Sequence, residues 1–160
     1  MISVQKADFS LAEEYAAIRS RAGDAGAIVT FTGLVREMYA QTESGDGAEA
    51  VQSLFLEHYP GMTEKCLEQI EQQAQDKWPL LATRIIHRVG ELSSNDQIVL
   101  VATASAHRHA AFESAQFMMD YLKSEAPFWK KQKTASSSSW VESRDSDQAA
   151  IERWQTPTSR

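Results

Sequence analysis

Ile98-Val-Leu-Val-Ala-Thr-Ala104, running directly into Ser105-Ala-His-Arg-His-Ala-Ala-Phe112, is the stretch that decides the fold. Its first half is apolar without a break, as in a strand covered on both faces, so it predicts a central strand of a sheet. Its second half changes period at once. From about Arg108 to Glu125, Ala111, Ala115, Met118, Leu122 and Ala126 recur at spacings of three and four, and Pro127 then stops the pattern. A buried strand that feeds an amphipathic helix predicts a helix laid on a sheet.

Upstream, Leu81 to Val89 reads as a second strand, joined to the first through the turn-forming Gly90-Glu-Leu-Ser-Ser-Asn-Asp96. Val51 to Tyr59 reads as a further strand. The helix after it spaces Met62, Cys66, Ile70 and Ala74 four apart and ends near Trp78-Pro79. Ser10 with Glu13 forms a capping-box signature for a helix through about Arg19, and the Gly23-Asp-Ala-Gly26 turn leads into a strand from Ala27 that closes at Gly33-Leu-Val-Arg36. Residues 37–50, centred on Ser44-Gly-Asp-Gly47, have no usable period and are expected to be a mobile loop. Downstream, Phe128 to Thr134 and Trp140 to Glu142 suit a hairpin across Ala135-Ser-Ser-Ser-Ser139, and Ser146 to about Trp154 suits a short helix. The order predicts an α+β sandwich, one domain over residues 1–160, with a smaller β element appended.

Composition narrows the chemistry. A formal charge of −6 in 160 residues argues against a nucleic-acid or anionic-membrane surface, each of which needs a dominant basic face. The single cysteine, Cys66, excludes an internal disulfide and any Cys-x-x-Cys site. No apolar run approaches a membrane span, and Met1-Ile-Ser-Val-Gln-Lys6 lacks the regions of a signal peptide, so a soluble cytoplasmic protein is expected.

The basic residues therefore matter by position. His107 and Arg108 sit where the central strand gives way to a helix N-terminus, where free N–H groups favour anions and a guanidinium fork holds phosphate or carboxylate; ordinary solvated helix-start residues would look the same. His107 and His109 diverge on a helix and lack a third ligand, so no metal site is expected. Lys123 follows the apolar stripe by one position. It is either a partly desolvated amine able to move protons or a snorkelling lysine over the core. On a strand, Lys131 and Lys133 share one face and Lys130 takes the other. Phe128 and Trp129 suit either stacking on a flat heterocycle or the core. The residues alone lead to an anion-binding α+β domain.

Phe31-Thr-Gly-Leu-Val-Arg36, Leu56-Glu-His-Tyr-Pro-Gly-Met-Thr63, Ile86-His-Arg-Val-Gly-Glu91, Ser105-Ala-His-Arg108, Phe117-Met-Met-Asp-Tyr-Leu-Lys123 and Ala126-Pro-Phe-Trp-Lys130 together resemble the large, catalytic subunit of molybdopterin synthase, in order from about Phe9 to Trp154. The resemblance implies an α/β hammerhead-type fold and a homodimer of large subunits. Each large subunit would carry a ubiquitin-like small subunit with a C-terminal thiocarboxylate, making a heterotetramer. It implies transfer of two sulfurs to cyclic pyranopterin monophosphate, forming the dithiolene of molybdopterin, with no metal or cofactor for this step. By position, Leu34, Val35 and Arg36 would touch substrate, His107 and Arg108 would bind its anionic side, and Lys123 would meet the thiocarboxylate tail. Lys130, Lys131 and Gln132 would complete the pocket, with Lys123 and Lys130 as proton donors and fixed charges, and Arg144 is a candidate for a residue lent across the dimer. The family often has lysine where Leu34 stands and an acidic residue where Gln132 stands. Those two positions support the alternative, a non-catalytic binding module for a ubiquitin-like sulfur carrier.

Overall fold

The computed structural model describes residues 1–36, 39–41, 48–50, 53–134, 138–141 and 145–155. Along the chain run β1 (Ile2–Gln5), α1 (Leu11–Ala22), β2 (Ala27–Leu34), β3 (Tyr39–Gln41), β4 (Ala48–Ala50) and β5 (Ser53–His58). There follow α2 (Met62–Lys77), β6 (Leu80–Arg88), β7 (Gly90–Ser93), β8 (Gln97–Ser105), α3 (Arg108–Glu125), β9 (Phe128–Lys133), β10 (Ser138–Val141) and α4 (Asp145–Gln155).

The apolar stretch that became β8 lies inside the first sheet, whose order is β1-β6-β8-β2, and it pairs antiparallel with β6 and with β2. Its alternation sends Val99 and Val101 to a core with Leu67 and Ile70 of α2 and Met118 and Leu122 of α3, while Ala102 and Ala104 meet Ile18 and Ala22 of α1. Helices thus cover both faces, so the strand reads as continuously apolar. Its two buried hydroxyls are satisfied: Thr103 donates to the Ala111 carbonyl at 2.7 Å and Ser105 to that of Pro79 at 2.9 Å. Gly26 donates to the Ser105 carbonyl, and a Cβ at that position would run into the carbonyl oxygen of Ala106. Only glycine lets this turn close against the strand-to-helix junction.

The second sheet, β10-β9-β5-β7, is antiparallel throughout, with Val35, Leu54, Leu56, Val89 and Leu92 as its core. The chain crosses between the sheets at Arg88-Val89-Gly90. Gly90 takes φ +87°, Val89 donates to the Gln5 carbonyl, and the Arg88 guanidinium holds the carbonyls of Lys6 and Gln97. Just before this seam, the ring of His87 stacks on Phe128 of β9, with centroids 3.8 Å apart and planes 17° from parallel.

Three expectations are corrected and one strand, β1, is added. The turn region after β6 contains β7, a strand of the second sheet, and residues 2–5 form β1, parallel to β6; both are too short for a period to register. Within the expected loop 37–50, Tyr39–Gln41 pairs antiparallel with Ala48–Ala50. Residues 37–38, 42–47, 51–52, 135–137 and 142–144 lie outside the described residues, and with them Arg144 and the ends of the predicted hairpin. The buried face of α2 is Thr63, Leu67, Ile70 and Ala74, whereas Met62 is exposed and Cys66 half-buried. A strict spacing of four drifts about 40° per step around a helix of 3.6 residues per turn, while spacings of 4, 3 and 4 hold one face. Thr63 tolerates burial because its hydroxyl accepts from the Tyr59 N–H and donates to the Pro127 carbonyl, both at 3.0 Å.

Other elements match more closely. Ser10 Oγ accepts from the Glu13 N–H at 3.3 Å, and α1 runs on to Ala22. The α4 helix docks on α3 through Asp120, whose Oδ2 accepts from Trp154 Nε1 at 2.8 Å and from Arg153 at 3.2 Å, while Oδ1 accepts from Gln116. Trp154 completes an edge-to-face set with Trp78 and Phe117.

Two predictions follow from these contacts. Asp120→Ala leaves the Trp154 and Arg153 donors without their acceptor, and should lower stability by about 1–3 kcal/mol in urea unfolding and make α4 the first segment cut by protease. Burial, the largest effect, with the charges of Lys130 and His58 adding to it, pushes His87 down from the usual 6.5 to about 4 against the opposing hydrogen bond to Arg88. The unfolded chain then binds a proton below pH 6.5 that the folded chain refuses, so stability is lost as pH falls toward 4. Relative to His87→Phe, which lacks the group, the wild-type protein should lose about 2 kcal/mol more between pH 7 and 5, measured by urea unfolding at each pH.

Candidate active site

The edge strand β2 and helix α3 leave between them a groove of about 470 Å³. Phe31, Phe112 and Met119 give it apolar walls, and Asp120, Lys123 and Asp147 gather at the α4 end. Phe31 is 43% and Phe112 62% exposed, a large apolar area for the edge of a lone chain. Lys123 stands in the last turn of α3, where a cation suits the helix dipole. The helix buries the whole run from Phe117 to Leu122, and the next residue turns outward, so Lys123 is exposed rather than desolvated.

The second cluster lies between the sheets. Val35 is buried and pinned by its N–H to the Asp96 carbonyl at 2.9 Å and its carbonyl to the Asn95 N–H at 2.7 Å. Its neighbours Leu34 and Arg36 are exposed on either side. Val35 packs with Leu54 and Leu56, which face Gln132 and Lys130 across the β5–β9 ladder. Side chains paired directly across a ladder share a face, so Lys130 and Gln132 lie on the face of the second sheet that Val35 packs against. Val35, Lys130 and Gln132 of the residues that sequence singled out thus share one side, and Arg36 stands exposed next to Val35. Lys131 does not join them. It pairs with Phe55 and Trp140 on the outer face, its Nζ 5.5 Å from the Trp140 ring.

His107 and Arg108 stand apart. His107 is the N-cap of α3 and makes no side-chain capping bond, Arg108 opens the helix, and both are exposed. Fifteen residues of helix separate Arg108 from Lys123, about 22 Å at 1.5 Å per residue. Within one chain these cations cannot hold one small substrate. His109 pairs with Glu113 at 3.4 Å.

The Cys66 thiol is pushed up by burial and then by the Glu125 carboxylate, and it donates to the Glu125 carbonyl. It is a poor thiolate source, as its place on a helix face suggested. Sequence reasoning passed over His58 and His87, which the fold sets beside Phe128 and Lys130. The only signal for them was their presence in two of the quoted blocks.

Comparison with known proteins gives the chain's family. The family model described as MoaE protein matches residues 4–125. A relative from Vibrio cholerae serotype O1, the molybdopterin synthase catalytic subunit, is 54% identical over 154 residues, covering 96% of this chain and 97% of its own. The solved structure of the molybdopterin biosynthesis MoaE protein from Burkholderia ambifaria shares the fold with a TM-score of 0.81 at 47% identity, over 98% of both chains. Molybdopterin synthase from Staphylococcus aureus does so with a TM-score of 0.75 at 30% identity, over 87% of this chain and 95% of its own. With a matching family model over most of its length and relatives alike from end to end, the chain belongs to the MoaE protein family.

Proposed function

We propose that this chain is the catalytic subunit of a molybdopterin synthase, moving two sulfurs from the C-terminal thiocarboxylate of a ubiquitin-like small subunit to cyclic pyranopterin monophosphate to form the dithiolene. The observation that carries this is likeness over the whole length, 54% identity to a relative of that name with 96% of this chain covered. Each transfer makes one carbon–sulfur bond to the substrate and breaks the tail's acyl carbon–sulfur bond, where oxygen at the level of water takes the place of sulfur; the tail leaves as a carboxylate, so the two sulfurs take two donor tails. The work left to the catalytic chain is to hold an anionic substrate, steady developing negative charge and supply protons, and lysines suit all three. Lys123, at the end of the apolar groove, meets the arriving tail. Lys130, with Gln132 on the same face and Arg36 exposed next to Val35, faces the substrate, while Leu34 and Val35 contribute backbone contacts; Lys131 contributes charge from the outer face. Among the described residues no helix is long and apolar enough to cross a membrane; we place the proposed reaction in the cytoplasm.

The 22 Å between Arg108 and Lys123 asks for a second copy of the chain. Two β2 edges paired antiparallel about a two-fold axis would bury Phe31 and Phe112. They would also lay one α3 antiparallel to the other, carrying His107, Arg108 and His109 of one copy toward Asp120, Lys123 and Asp147 of its partner. The acidic pair meets the cationic helix start, and each site receives its phosphate-binding residues from across the dimer.

Lys123→Ala should reduce dithiolene formation at least a hundredfold, read as the oxidised fluorescent pterin, with small-subunit affinity unchanged by calorimetry. Near-normal turnover would remove Lys123 from the mechanism. Inactive Lys123→Ala and inactive Arg108→Ala chains, unfolded and refolded together, should regain about a quarter of wild-type activity, since half the dimers are mixed and each has one intact site of two. A mixture that stays inactive would place both residues in the same chain's site.

A further inference from the structure

Two blocks, Leu56–Thr63 and Ile86–Glu91, carry histidines to which the proposed function gives no role, and the fold brings both to β9. His87 is 6% exposed, with its ring parallel to Phe128 and its Nδ1 2.8 Å from the Arg88 carbonyl oxygen. That distance assigns the proton to Nδ1, which donates to the carbonyl. His58 faces Phe128 across the β5–β9 ladder, its Nε2 3.3 Å from Glu64 Oε1.

What makes this contact consequential is its position. His87 belongs to the first sheet and Phe128 to the second, so the stacked rings join the two layers one residue before the chain itself crosses. Lys123 rides on α3, packed against the first sheet; Lys130 lies two residues beyond Phe128 on the same face of the second. The His87–Phe128 contact thus lies between the two layers that carry these lysines. A flat ring fits a slot of that thickness, whereas a branched aliphatic side chain would wedge it and alanine would leave it empty.

We propose that His87 is a positioning residue for the sulfur transfer: its ring, stacked on Phe128 across the seam, sets where Lys130 stands relative to Lys123. This rests on the synthase reading above. The charged groups that face His87 are Lys130 from β9 and His58 from β5, the latter with its partner Glu64 of α2; β1 and β8 present Val4 and Val99 in register, and Arg88 offers its carbonyl. Burial chiefly, then the charges of Lys130 and His58, hold the ring neutral at physiological pH. It supplies shape and one N–H, and neither charge nor proton.

The test uses the complete complex with thiocarboxylated small subunit and cyclic pyranopterin monophosphate. His87→Ala should lose roughly ten- to a hundredfold in kcat with KM little changed, the effect of a misplaced catalytic group. His87→Phe, which keeps the flat ring, should stay within about threefold of wild type and follow the same pH profile above about pH 5. If His87→Ala does not fold, His87→Leu, which fills the volume without the flatness, takes its place with the same expected loss. The proposal is overturned by a truncated variant within about twofold of wild type, by His87→Phe as slow as the truncation, by a loss confined to KM, or by an altered pH profile. Any of these, with wild type active, leaves the synthase reading standing. A folded wild type that binds the small subunit yet forms no product overturns that reading itself.

Discussion

The constraint on which the rest depends is the burial of β8 on both faces. Paired with β6 on one side and β2 on the other, it has no exposed residue from Val99 to Ser105. A strand so enclosed admits only apolar side chains and hydroxyls that find carbonyls, and its two do. Because α3 begins three residues after β8 ends, the same enclosure fixes the helix on the sheet, and with it the direction in which its termini point. The candidate site residues at the two ends of α3 inherit their places from a strand whose own side chains from Val99 to Ser105 are all buried.

From this comes the division of the site. One helix holds Arg108 at its start and Lys123 in its last turn, and a straight helix cannot bring its own ends together. The second sheet holds Lys130 on a face shared with core leucines, and just past β2 the chain buries Val35 in the same core and leaves Arg36 exposed. No one element supplies the site. Geometry of this kind makes an assembly of two chains the economical way to surround a small anion, because duplication supplies the missing end of the helix at no further expense in sequence.

The sequence reading recovered what periodicity can express. The interior strand and α3 were legible because burial of an entire strand and an eighteen-residue helix each leave a repeated pattern. β1 and β7 were not, since four residues show little alternation, and β7 hid inside residues that also suit a turn. The α2 face was misread because Thr63 counts as polar until its hydroxyl is seen to bond Tyr59 and Pro127. Among candidate site residues, charge and place in the chain singled out Arg36, Lys123 and Lys130. The split between Lys130 and Lys131 followed from strand alternation alone, although the resemblance would put both in one pocket. His87 was invisible because its meaning lies in a ring 41 positions away, a distance no local pattern spans.

Lys123 and Lys130 are exposed in the isolated chain, and that exposure bears on how the site is completed. Fixed charges stabilise a developing anion far better where water is excluded than at a surface, where solvent screens them. The chain by itself leaves its lysines wet, its groove open and two phenylalanines uncovered at the rim. In the proposed reaction the second copy covers the phenylalanines, and the small subunit's tail fills the groove as it delivers sulfur. The dry environment then forms only when the donor is seated. Such an arrangement, in the proposed reaction, would tie reactivity to the presence of the sulfur source and keep a solvated candidate lysine idle toward anionic metabolites that it meets alone.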